Sequence, residues 1–187
     1  MATKIYIDQG HNPVNPNAGA EGNGHREQDI VFRIGLSLAE CLRENGFDVR
    51  LSRPTATTQL GSSNASSLQA RVRAANDWNA DYFISLHTNA SSAASANGSE
   101  ALVFASPSRA ASLAARILQG LHRTTGLRTR GVKVRSGLYV LRYTRMPAVL
   151  VELGFISNPS EAAMMADRPD LFAAGICEGI RAYLGAD

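Results

Sequence analysis

Short apolar runs alternate along this chain with stretches in which apolar residues recur every three or four positions. Residues 4–8 (Lys-Ile-Tyr-Ile-Asp) are β-branched and aromatic enough to predict a strand. Residues 9–28 follow, rich in Gly, Asn and Pro and without periodicity, and predict a long functional loop. From near Asp29, Ile30, Ile34, Leu38 and Leu42 make one stripe of a helix, which Asn45-Gly46 ends. Residues 47–51 predict a second strand. Residues 54–67 predict a surface loop, with Ser66 or Ser67 capping a helix that turns Leu68, Val72, Ala75 and Trp78 inward. Residues 81–87 (Asp-Tyr-Phe-Ile-Ser-Leu-His) predict a central strand, and 100–104 a fourth. A helix over 108–124 buries Leu113, Ile117, Leu118 and Leu121. Residues 138–141 and 148–152 predict two last strands, and 160–166 and 169–184 two closing helices. The second of these helices turns Leu171, Ile176, Ile180 and Leu184 inward. Strands alternating with helices imply an α/β fold: a largely parallel twisted sheet of about six strands, covered by helices on both faces.

Composition narrows this picture. The chain has 187 residues, 44% hydrophobic and 19% charged, which excludes intrinsic disorder as the main state and predicts one domain over 1–187. No apolar run approaches the roughly 18–20 residues of a spanning helix. The first residues lack a basic segment followed by an apolar one, so no signal peptide is expected in this chain. Cys41 and Cys177 form no CxxC pair and no framework, and both are expected as buried free thiols on helix faces.

The net charge of +3 hides an asymmetry. Residues 101–151 contain Arg109, Arg116, Arg123, Arg128, Arg130, Lys133, Arg135, Arg142 and Arg145, and no Asp or Glu. Such a stretch predicts a positive face that attracts a polyanion. Base-stacking aromatics are not interleaved with it, so a nucleic acid is not expected. His122, late in a helix, and Trp78, on an apolar face, are expected to be structural.

In parallel sheets ligands bind beyond the carboxyl ends of strands. Three predicted strands end on residues that bind metal or move protons: the first runs into His11, the third ends on His87 and the last on Glu152. Two histidines at one sheet edge need a third ligand to make a catalytic zinc site with one position left for water. Glu21, His25, Glu27 and Asp29 are all near enough in sequence, and spacing does not choose between them. Glu152 follows an apolar strand, where partial desolvation raises a carboxyl pKa into the range of a general base.

Longer segments carry a resemblance. Ile7-Asp8-Gln9-Gly10-His11, Gly24-His25-Arg26-Glu27-Gln28-Asp29, Leu68-x-x-Arg71-x-x-x-Ala75-Asn76, residues 80–90 around His87, and residues 147–158 around Glu152 resemble the motifs of the zinc-dependent N-acetylmuramoyl-L-alanine amidases (the Amidase_3 family). Gln9 and Asn12 depart from that family's usual Asp-Pro-Gly-His-Gly opening. The resemblance implies one Zn²⁺ held by His11, Glu27 and His87, with Glu152 as base and acid. It implies cleavage of the amide between N-acetylmuramic acid and L-alanine of peptidoglycan, and action at the bacterial cell wall. Asn89, Glu100 and Arg142 are the candidate substrate contacts, and the basic stretch 101–151 is a candidate attachment to anionic wall polymers. A monomer is expected. The rival functions are a zinc peptidase acting on another peptidoglycan bond and a non-catalytic wall-binding module.

Overall fold

The structure, a computed structural model, describes residues 2–185. In chain order its elements are β1 (Lys4–Gln9), β2 (Glu21–Gly22), β3 (His25–Arg26), α1 (Glu27–Glu44), β4 (Asp48–Leu51), α2 (Asn64–Asp77), β5 (Tyr82–Asn89), β6 (Ser99–Val103), α3 (Arg109–Thr125), β7 (Thr129–Val134), α4 (Tyr139–Arg142), β8 (Ala148–Phe155), α5 (Pro159–Asp167) and α6 (Pro169–Leu184). Six strands form one sheet in the order β4-β1-β5-β8-β6-β7. All neighbours run parallel except β6 and β8. The expected architecture is therefore present.

Strand alternation divides the sheet residues between two cores. Ile5, Ile7, Ile84, Leu86, Val149, Val151, Ala101 and Val103 face one side and pack under α1, α3 and α6, through Ile34, Leu38, Ile117, Phe172 and Ile176 among others. Tyr6, Phe83, Ala148, Leu150 and Leu102 face the other side, under Val72 and Ala75 of α2 and Val140 and Leu141 of α4. The second cover is short. Beyond it the same sheet face carries a polar row: Asp8 beside Ser85, then His87 beside Glu152 beside Glu100.

Several elements differ from the pattern-based expectation. Residues 138–141 form one helical turn, because a four-residue apolar run fits a buried turn as well as a strand. The sixth strand is instead β7, an edge strand in which Arg130 and Lys133 interrupt the valines. α2 is capped by Ser63, whose hydroxyl accepts from the Ser66 backbone N–H in a capping box, so Ser66 is the partner of the cap and not the cap itself. The 9–28 loop contains the β2–β3 hairpin, turned by Asn23-Gly24 with φ of 51° and 78°, as a type I′ turn requires.

The cysteines are also corrected. Cys41 on α1 and Cys177 on α6 form a disulfide, with Cα atoms 6.5 Å apart. They are remote in sequence, and only the packing of α1 against α6 brings them into bonding range. Cys41→Ala is expected to cost about 2–4 kcal/mol, because the bridge closes a long loop in the unfolded chain. Urea unfolding with and without reductant measures this, and a midpoint unmoved by either change would contradict it.

Candidate metal centre

Three elements bring the cluster together. β1 ends at Gln9, and His11 follows in the left-handed region at φ +65°. A non-glycine residue holds such a conformation only when its surroundings impose it. Here Arg71 does so. Its guanidinium, 1% exposed, donates from Nη1 to Asp8 Oδ1 (2.6 Å) and to the Gln9 carbonyl (2.7 Å), and from Nη2 to the His11 carbonyl. Burial pushes the Asp8 carboxyl up, but Arg71 and the Ser85 hydroxyl outweigh it and hold Asp8 below the usual carboxylate range.

Glu27 is the first residue of α1, placed there by the β2–β3 hairpin, which leads directly into it. Arg26 spans Glu21 and Asp29 with its guanidinium and donates to the Pro13 carbonyl. Glu27 is buried yet fully partnered. Its Oε2 accepts from the Ala20 N–H and lies 3.2 Å from His11 Nε2. Its Oε1 accepts from the Thr88 N–H and lies 3.2 Å from His87 Nδ1. Burial raises its pKa, but the two imidazoles outweigh this and leave it far below the ordinary value. His87 responds in the opposite sense: burial lowers it, and Glu27 outweighs that to raise it. The imidazole rings are 4.8 Å apart, edge to face. Gly10 makes this packing possible, since a Cβ there would sit 2.5 Å from His87 Cε1.

His11, Glu27 and His87 offer ligand atoms that all lie within 4.8 Å of one another. Atoms about 2.0–2.1 Å from a common zinc at tetrahedral angles are about 3.4 Å apart, close to the two 3.2 Å separations found here. The donor set thus fits zinc in type and spacing. His25, on β3, and Glu21 and Asp29, salt-bridged by Arg26, lie outside the cluster.

Glu152 follows His87 across the sheet, on the same face. Burial pushes its carboxyl up to about 7, with Glu27 and Glu100 adding to the rise and His87 opposing it. Its Oε2 is buried without a hydrogen-bond partner among the described residues. Glu100 is paired with Glu152 in register but has the opposite character. Burial raises it, while Lys133 (2.5 Å) and Arg130 (3.0 Å) outweigh this and lower it. Asn89 Nδ2 donates to Glu100 Oε1, so two of the three expected substrate contacts sit beside Glu152. Arg142 does not; it lines a separate depression with Phe104, Arg109 and Met146. Trp78 is core, as expected, between Tyr6 and the Lys4 and Arg50 side chains. His122 bonds the Leu127 carbonyl near the end of α3, also as expected. Sequence patterns counted Arg130 and Lys133 only in the basic stretch and gave Ser85 no role of its own; the partners of all three lie on other strands.

A family model described as N-acetylmuramoyl-L-alanine amidase matches residues 5–182. The amidase LytC of Bacillus subtilis (strain 168) is 37% identical over 96% of this chain, which spans 35% of that protein's length. The germination-specific N-acetylmuramoyl-L-alanine amidase of the same organism is 30% identical, with 96% and 78% of the two chains covered. The catalytic domain of CwlV, the amidase of Bacillus (Paenibacillus) polymyxa, superposes with a TM-score of 0.85 at 31% identity, over 99% of each chain. The chain belongs to the N-acetylmuramoyl-L-alanine amidase family.

Arg71→Met removes the one cation that, among the described residues, is bonded to buried Asp8, and is expected to cost about 3–5 kcal/mol at pH 7. The sign with pH follows from Asp8. Its low folded pKa makes the Arg71 contribution complete above the unfolded value near 4 and smaller below it. In the variant, burial raises Asp8, so its penalty fades as acid neutralises it. The gap between the two proteins should therefore narrow from pH 7 to pH 4 in urea titrations; a gap independent of pH would refute the assignment.

Proposed function

We propose that this chain hydrolyses the amide between the lactyl group of N-acetylmuramic acid and L-alanine in peptidoglycan. The observation that carries this is the pairing of both Glu27 oxygens with imidazole nitrogens of His11 and His87, with Glu152 next in register. Family membership supplies the bond.

His11, Glu27 and His87 would hold one Zn²⁺. When bound, that ion supplies positive charge that polarises an amide carbonyl and acidifies a water. The remaining steps belong to the chain. Glu152, whose pKa burial raises to about 7, takes a proton from the attacking water in its carboxylate form. The water oxygen bonds to the lactyl carbonyl carbon. The C–N bond then breaks as Glu152 returns the proton to the L-alanine nitrogen. Asn89 and Glu100 line the same face and are placed to orient the stem peptide.

The acid-free stretch maps onto β6, α3, β7, α4 and the start of β8, toward the β7 edge of the sheet, with α3 on one face and α4 on the other. Arg116, Arg128, Arg135 and Arg145 are exposed there, while Arg130 and Lys133 spend charge on Glu100. We infer attachment of this side to anionic wall polymers. Among the described residues no helix is long and apolar enough to cross a membrane. The Cys41–Cys177 bridge suits an oxidising site of action at the wall, outside the reducing cytosol.

Purified chain loaded with zinc should release new N-terminal L-alanine from peptidoglycan. Chelation should abolish this, and Glu152→Gln should retain one zinc yet lose about 10³-fold or more in kcat. Release of a different amino terminus would move the cleaved bond and favour a peptidase. Wall binding with no release would leave a binding module. Binding to intact walls should weaken steeply with salt if exposed arginines carry it, and salt-independent binding would remove that role.

A further inference from the structure

We propose that Tyr139 and Tyr143 form a glycan-binding platform that holds the sugar chain on the muramyl side of the reacting amide. The choice of glycan rests on the amidase function proposed above; the platform rests on geometry.

Between α2 and α4 lies an open groove of about 570 Å³, lined by Gln69, Arg73, Asn76, Tyr139, Tyr143 and Arg145 among others. Tyr139 also lines the smaller cavity that reaches His11 and His87, so the two depressions share this residue. The two tyrosine rings are 4.4 Å apart and inclined at 37°. Tyr143 is nonetheless 52% exposed, a large aromatic left at the surface, with the Arg142 guanidinium 5.9 Å from its ring centroid.

The exposed ring does not sit on a loose segment. Asn76 of α2 donates from Nδ2 to the Tyr143 carbonyl (3.0 Å) and accepts the Arg145 N–H at Oδ1 (3.0 Å). This double bond to the backbone fixes the end of α4 on α2. A rigid aromatic with polar neighbours is what a pyranose requires. Its C–H face packs on a ring, and its hydroxyls need planar donors and acceptors around the rim. Gln69, Arg73 and Arg145 line the groove together with the tyrosines and carry such groups. Asp77 also lines the groove and offsets part of the charge of Arg73 and Arg145, which leaves a net positive lining for the lactyl carboxylates of the muramyl residues. Trp78, the aromatic whose sequence position first invites comparison with a sugar platform, is buried on the other side of α2's end and is not available.

Peptide-free glycan chains of alternating N-acetylglucosamine and N-acetylmuramic acid, titrated calorimetrically into the full chain after chelation, test this without relying on turnover. The wild type should bind saturably. Tyr143→Ala should weaken binding about tenfold or more, and Tyr143→Phe should stay within a few-fold of wild type. Both differences should persist between about 0.05 and 0.5 M salt, with only a modest weakening common to all variants as the lactyl carboxylates are screened. Gln69→Ala, on the exposed face of α2, provides an independent loss should Tyr143→Ala fail to fold, and melting curves check each variant. No binding by the wild type, equal binding by Tyr143→Ala, or binding abolished by salt would overturn the platform. Failure of the zinc-loaded chain to release L-alanine, with glycan binding intact, would overturn the amidase function and leave the platform standing.

Discussion

The Arg71 guanidinium is the constraint on which the metal cluster depends. It lies on α2, yet its bonds go to Asp8 and to the carbonyls of Gln9 and His11, at the end of β1. His11 has positive φ, a conformation its own side chain does not favour. A loop in that state relaxes unless its carbonyls are held. Arg71 holds two of them and is itself held by a buried carboxylate, so a pair that costs desolvation energy becomes a device for fixing backbone. The loop is then closed from the other side by α1, whose first residue, Glu27, meets the His11 ring.

Two carboxylates on one sheet face are driven to opposite sides of the ordinary carboxylate range by their neighbours. Glu27 has two backbone N–H donors and two imidazoles, and all four favour the anion. Glu152 has burial and the fields of Glu27 and Glu100 against ionisation, with only His87 on the other side. Such divergence is what the proposed roles of ligand and proton carrier require, without any difference in side-chain type. Glu100 completes the set. Lys133 and Arg130 keep it ionised, so it raises Glu152 while remaining charged itself.

Much of this was legible in the sequence, where local pattern sufficed. The strands carrying His87 and Glu152 stood out because central parallel strands are apolar and turn polar toward their carboxyl ends, although both run past these residues, to Asn89 and Phe155. α1, α3 and α6 had complete apolar stripes. β7 was hidden because an edge strand needs few apolar residues and carries Arg130 and Lys133 toward Glu100. α4 was misread because one helical turn has no period to display. The β2–β3 hairpin did leave a signal, the Asn23-Gly24 pair, but two-residue strands around it were too short to register. The choice of Glu27 over His25, two positions away, needed the family resemblance. In space it follows from the hairpin, which places His25 opposite Gly22 and delivers Glu27 to the helix start. The disulfide left no local trace, since it records only that α1 and α6 are neighbours.

The departures at Gln9 and Asn12 reinforce the same arrangement by other means. Proline at position 9 would stiffen the loop through its ring but would lack an N–H. Gln9 keeps that N–H and gives it to the Ser52 hydroxyl. Its side-chain amide donates to the Arg53 carbonyl and accepts the Arg53 N–H, so the end of β1 is sewn to the residues that follow β4. Position 12 does not need glycine, because its φ is not among the positive ones; only His11 beside it is. Asn12 therefore has room to use its amide. It donates to the carbonyls of Pro16 and Leu60 and accepts the Leu60 N–H, joining the metal loop to the segment before α2. Arg71 Nη2 also reaches Asn12 Oδ1, at 3.3 Å. The unusual residues thus converge on the guanidinium that fixes His11. Rigidity that a proline ring would supply locally is supplied here by hydrogen bonds to two neighbouring loops.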